Sequence, residues 1–112
     1  LETQMRIEDM DAKRLNRVFS TNIIGSILCA REAIKRMSLK NGGNGGKIVN
    51  ISSAASRLGS PGEYVDYAAS KGAIDTFTKG LSIEVAEEGG TVGEIVEVMK
   101  KVYGEWEESF GI

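Results

Sequence analysis

The 112-residue sequence contains no histidine, one cysteine and one proline, and aromatic residues make up only 6% of it. Each scarcity removes a class of function. Without histidine the commonest metal ligand is missing, as is the side chain that ordinarily titrates near neutrality, so no metal centre is expected. Cys29 has no second cysteine to pair with and no histidine to serve as its base. It lies in the apolar stretch IIGSILCA, where a small buried hydrophobe is expected. Charge of either sign is not in excess: the formal net charge is -2 and the pI about 5.2, so there is no basic field to hold a nucleic acid. No apolar run approaches the ~18 residues of a membrane span, and the N-terminus has no basic segment leading into an apolar one. The chain reads as soluble and cytoplasmic, with no nucleic acid or membrane partner. At 41% hydrophobic and 27% charged, it has material for one compact domain and not for two.

From about Asp9 to Ser38 apolar residues including Leu15, Val18, Ile23, Ile27, Ala30, Ile34 and Met37 recur every three or four positions, which predicts a long amphipathic helix. Charged residues such as Lys13, Arg17, Arg31 and Lys35 fall between them as a solvated face. Gly25 interrupts it at a cost of about 1 kcal/mol relative to alanine, which marks either close approach of another backbone or a tolerated defect. NGGNGG, residues 41–46, ends the helix. It lacks the third glycine of G-x-G-x-x-G, where Ile48 stands, and it follows a helix instead of opening one, so it reads as a connector and not as a phosphate loop.

KIVNIS, residues 47–52, is β-branched and nearly continuous in apolar character, as in a strand buried on both faces of a parallel sheet. The sequon Asn50-Ile51-Ser52 within it is a chance match in a buried strand. Asn50, Ser52 and Ser53 fall at its C-terminal end, where open α/β sheets place their ligand crevice. Pro61-Gly62 predicts a turn. A second long helix is expected from about Glu63 to Glu88, with Val65, Ala68, Ala69, Ala73, Ile74, Phe77, Leu81 and Val85 as its apolar face.

Near the start of that helix Tyr67 and Lys71 stand four residues apart and so share a face. A free tyrosine has a pKa of about 10. An ammonium about 4 Å away favours the phenolate by about 4 kcal/mol at an effective dielectric of about 20, enough to make such a group a usable acid or base. The pair alone is a weak signal; a serine pair ending a buried strand just upstream strengthens it. Together, FSTNIIGSILCAREAIKRM and GGKIVNISSAASRLGSPGEYVDYAASKGAIDTFTKGLSIEVA resemble the central part of the short-chain dehydrogenase/reductase family. The resemblance covers about Glu8 to Glu88.

The resemblance implies an α/β, partial Rossmann-like helix-strand-helix unit and an NAD(P)-dependent oxidoreductase that interconverts an alcohol and a carbonyl by hydride transfer. It implies Tyr67 as the general acid, Lys71 as the group that tunes Tyr67 and holds the nicotinamide ribose, Ser53 as the orienting donor to the substrate oxygen, and Asn22 as the support of a proton relay. Tyr67, Lys71 and Asn50 would be the cofactor-binding residues, for NAD or NADP. The serine and tyrosine are one residue further apart than the family pattern has them, which points to an extended loop around Ser60 and keeps Ser52 open beside Ser53. Tyr64 has no lysine four residues after it. The family places its glycine-rich cofactor fingerprint ahead of the long helix. None stands in these residues, so the isolated chain is expected to be incomplete and inactive.

TVGEIVEVMKKVYGEWEESFGI, residues 91–112, departs from the resemblance. It reads as a third amphipathic helix, mostly acidic, opened by a Thr91–Glu94 capping box, and either of different origin or a divergent native ending. With it the chain is expected to be mostly helical by content. The alternative to an enzyme is a non-catalytic helical association module derived from that fold. In either case the long helices are expected to pair the chain as a homo-oligomer.

Overall fold

The computed structural model describes residues 2–87, so the helix expected over 91–112 lies outside the described residues. The first long helix is one rod in three parts: α1 (Ala12–Phe19), a π-helical turn (Ser20–Ile24) and α2 (Gly25–Met37). Asp11 caps it, its carboxylate accepting the Arg14 N–H at 2.9 Å. Lys35 and Arg36 close it, suiting the negative end of the helix dipole. The chain then leaves through a 3-10 turn (Leu39–Asn41), and Gly42 takes a left-handed φ of 85°.

The π turn follows from the burial pattern. Residues 14, 18, 22, 26 and 30 are all buried or half-buried. Steps of four drift around a helix of 3.6 residues per turn, and one wider turn takes back part of that drift. Gly25 closes it by donating its N–H to the Ser20 carbonyl, and a Cβ on Gly25 would lie 3.3 Å from that same oxygen. The close backbone is therefore the helix's own carbonyl five residues back. Cys29, expected inside, is exposed: it sits beside buried Ala30 but on the side of α2 left to solvent.

A short helix, α3 (Ala55–Leu58), was not foreseen. It ends at Gly59, with a φ of 83°, and leads into the expected turn at Pro61-Gly62. Ser60 there has a φ of 48°, uncommon for a residue with a Cβ, and its carbonyl accepts the N–H groups of both Glu63 and Tyr64. That is where the serine–tyrosine spacing called for an extended loop. The second long helix, α4, spans Val65–Glu87.

Against α4 pack α1, the π turn and α3, and α2 is not among its main neighbours. The inward side of α4 is only in part the apolar face expected, of which Ala68 and Ile74 are buried. One row of it runs Asp66, Ser70, Ile74, Thr78 and Ser82 at steps of four, while Ala69 is exposed and Ala73, Phe77, Leu81 and Val85 are half-buried. The hydroxyls survive burial by bonding back to their own helix: Ser70 to the Tyr67 carbonyl at 2.6 Å, Thr78 to Ile74 at 2.7 Å and Ser82 to Lys79 at 2.7 Å.

The strand expected over 47–52 does not form. Residues 43–53 have no regular structure, and Val49 and Ile51 are exposed. A strand needs a neighbour to take its N–H and C=O groups, and the described residues contain no second strand. The segment is fastened to α4 by side chains instead. Asn50 donates to Thr78 Oγ1 at 2.9 Å, Ser52 to Asp75 Oδ1 at 2.5 Å, and Lys71 Nζ to the Ile51 carbonyl at 3.0 Å. The described residues are thus helical, as expected by content, but hold no sheet and so do not themselves build the α/β helix-strand-helix unit.

Candidate functional site

An open cleft of about 850 Å³ lies where α1 and the π turn meet the first turns of α4. Asn22, Tyr67 and Lys71 all line it, with Tyr64, Arg14 and Asp66 beside them. Three of the residues singled out from the sequence, separated by up to 49 positions, therefore share one surface. Ser53 and Asn50 do not line the cleft. They lie on the 43–53 segment, which reaches Lys71 through the Ile51 carbonyl.

Tyr67 and Lys71 meet as their spacing predicts, but face to cation. Lys71 Nζ stands 5.7 Å from the centroid of the Tyr67 ring, within cation–π range. Its hydrogen bond goes to Ile51 and not to the phenol. Tyr64 packs its ring edge-on to Tyr67, with centroids 6.5 Å apart and planes at 69°. The Tyr67 ring is thereby bounded on two sides, while its side chain stays half-exposed to the cleft.

Asn22 comes from the π turn, where the widened helix turns its amide toward α4. Nδ2 donates to Ser70 Oγ at 2.9 Å, and Ser70, fully buried, donates in turn to the Tyr67 carbonyl. The two serines at the end of the 43–53 segment are used differently. Ser52 spends its proton on Asp75, whereas Ser53 Oγ accepts the Ala55 N–H at 3.1 Å. Only Ser53 is held in a way that leaves its own O–H to be given.

Sequence reasoning missed the charged pair beneath the cleft. Arg14 Nε donates to Asp66 Oδ2 at 2.8 Å and Nη2 to Oδ1 at 3.4 Å, with the two residues 2% and 3% exposed. Asp66 Oδ1 also accepts the Tyr67 N–H at 2.9 Å, and Arg14 Nη1 bonds the Thr3 carbonyl. Burial alone would raise the Asp66 pKa, but the Arg14 guanidinium and the Tyr67 N–H outweigh it and hold the carboxyl below its ordinary value. The hydrogen bond to Asp66 correspondingly raises Arg14. The signal was a carboxylate standing next to the tyrosine on the inward row of a helix, which needs a cation from elsewhere in the chain. Among the described residues no cluster of side chains could hold a metal ion, and no helix is long and apolar enough to cross a membrane.

The sequence family of short chain dehydrogenases matches residues 1–101, reaching beyond the motifs that end at Glu88 and into the C-terminal segment. The chain is 71% identical over 89 residues to the uncharacterized oxidoreductase YgfF of Escherichia coli (strain K12), covering 80% of this chain and 36% of that protein. It is 41% identical over 83 residues to the chloroplastic NADPH-dependent aldehyde reductase 1 of Arabidopsis thaliana, and equally to the glucose and ribitol dehydrogenase of Daucus carota. In both cases the match takes in 74% of this chain, and 27% and 26% of the respective relative. The chain thus spans about a quarter to a third of the length of these curated relatives. With the family matched over residues 1–101 of its 112, and with oxidoreductases as relatives, the chain belongs to the short chain dehydrogenases.

Proposed function

We propose that this chain supplies the proton-transfer part of an NAD(P)-dependent oxidoreductase that interconverts an alcohol and a carbonyl compound. The observation that carries the reading is that Asn22, Tyr67 and Lys71 line one cleft in a chain of this family. In carbonyl reduction Tyr67 gives its phenolic proton to the substrate oxygen, and in the reverse direction takes it back. Ser53, with its hydroxyl proton uncommitted, would donate to the same oxygen and orient it once the segment that carries it, now outside the cleft, pairs into the assembled fold. Lys71 sets its amine end against the face of the Tyr67 ring, at the place where the phenol and the ribose would meet. Asn22 anchors the relay on the far side through Ser70.

The donor set fits a nicotinamide dinucleotide at its ribose: a phenol and an ammonium reach the cleft together, and the Asp66 carboxylate that also lines it is already taken by Arg14. Tyr67 and Lys71 would hold that ribose. Asn50, tied to Thr78, fastens the segment whose carbonyl steadies Lys71. NAD or NADP, when bound, supplies or accepts the hydride. In this reading residues 47–52 pair with a neighbouring strand in the assembled Rossmann-like fold, which would bury the exposed Val49 and Ile51. Calorimetric titration with NADH and NADPH tests whether the nucleotide site is completed: saturable micromolar binding supports the reading, and no binding would make Tyr67 and Lys71 a remnant of it. Tyr67→Phe is expected to cut carbonyl reduction by about 10²- to 10⁴-fold with an unchanged circular dichroism spectrum; full activity in that variant would refute the assignment.

A second reading concerns the surface. Ile24, which ends the π turn, and Ile27 and Leu28 on α2 form an exposed apolar stripe at helical spacing. We propose that this stripe pairs two copies as a homodimer, with or without catalysis. Sedimentation should then show a dimer that Ile27→Asp dissociates; a monomeric parent chain would sink the idea.

A further inference from the structure

We infer that Arg14, Asp66 and Ser70 are positioning residues that clamp the peptide groups on both sides of Tyr67, an inference that rests on the proton-transfer role proposed above. The geometry has two jaws, both anchored in the first long helix. In one, the Asp11 cap holds the Arg14 N–H, the Arg14 guanidinium grips the Asp66 carboxylate, and that carboxylate takes the Tyr67 N–H at 2.9 Å. In the other, Asn22 on the π turn donates to Ser70, and Ser70 donates to the Tyr67 carbonyl at 2.6 Å. Nothing comparable reaches Tyr64, whose carbonyl takes an ordinary helical bond from Ala68.

Stability alone is a poor account of the first jaw. Enclosing an ion pair costs desolvation that well-packed apolar residues avoid, so apolar replacement of both partners is often neutral or stabilising. Pairs nearer the surface, such as Arg17–Glu2 and Lys35–Glu32, are less enclosed and carry less of that cost. Arg14–Asp66, with side chains 3% and 1% exposed, bears the cost at the residue adjacent to the tyrosine. What the pair supplies and an apolar pair cannot is direction: a forked, planar contact that fixes the carboxylate, and through it the first turn of α4 from which the phenol projects. A proton donor displaced by about 1 Å loses on the order of a hundredfold in rate.

The test uses the complete enzyme containing this chain, in which the first jaw is removed by the double change Arg14→Met/Asp66→Leu and the second by Ser70→Ala. Each variant is also made in the Tyr67→Phe background. The clamp predicts that kcat falls by about tenfold to a hundredfold in each variant while KM for the nicotinamide cofactor stays within about twofold. It further predicts that neither change lowers the residual activity of Tyr67→Phe, because a positioning residue acts only through the group it positions. Without cofactor, the carbon-13 resonance of the Tyr67 hydroxyl-bearing carbon should shift in both variants. An unchanged kcat and an unmoved resonance, or an equal proportional loss with and without the tyrosine, would overturn the clamp. If the double variant fails to fold, Ser70→Ala decides the matter by the same readings. Full activity in Tyr67→Phe itself would instead refute the proton-transfer role, and the clamp with it.

Discussion

Asp66→Asn tests the energetics beneath the site most directly. The substitution keeps the size of the side chain and an oxygen for the Tyr67 N–H, but it removes the charge that faces Arg14 and offers an amide donor where the guanidinium already donates. Taking one partner from an enclosed ion pair costs about 3–5 kcal/mol, because the other charge is left uncompensated. A domain of this size is stable by roughly 5–15 kcal/mol, so the loss is a large share of the whole. The sign of the pH dependence follows from the folded state. Asp66 titrates below its ordinary range when folded, so its stabilisation is complete above the unfolded carboxylate pKa of about 3.9 and is lost as the pH falls through the folded value. Urea denaturation followed by far-ultraviolet circular dichroism should show the parent losing stability steadily below about pH 4. The variant should start several kcal/mol lower at neutral pH and have a shallower acid limb. The limb does not vanish, because Glu2, bonded by Arg17, and Glu32, beside Lys35, are also lowered when folded. A variant within about 0.5 kcal/mol of the parent at neutral pH, or one with an equally steep acid limb, would refute the reasoning.

Three further outcomes follow from local geometry. Ile74→Ala, at a residue 2% exposed on the inward row of α4, should cost about 2–5 kcal/mol in urea denaturation, and more than any other single apolar truncation on that helix. Gly25→Ala should fail to give the gain of about 1 kcal/mol that alanine ordinarily brings inside a helix, because its Cβ would press on the Ser20 carbonyl at 3.3 Å; a raised melting temperature would contradict this. Ser60→Gly should stabilise by up to about 1 kcal/mol, because glycine accepts a φ of 48° without strain, and a lowered melting temperature would show that the serine side chain contributes there.

The sequence by itself determined the two long helices to within a few residues, because apolar spacing is local and the NGGNGG run and Pro61-Gly62 mark boundaries without help from the rest of the chain. It also determined that Tyr67 and Lys71 share a face, since a four-residue step on a helix fixes that. Three things waited for the tertiary structure. Whether KIVNIS becomes a strand depends on a partner for its backbone, and within residues 2–87 none is present, so strand-like composition yielded a segment tied to α4 through Asn50, Ser52 and Lys71. The phase correction at the π turn, which brings Asn22 to Ser70, arises from fitting one rod against another and leaves only Gly25 as its trace in the sequence. The pairing of Arg14 with Asp66 spans 52 positions, and no periodicity encodes it. Charges that far apart meet only when packing removes the water from around both, and at that point each becomes the other's necessary partner.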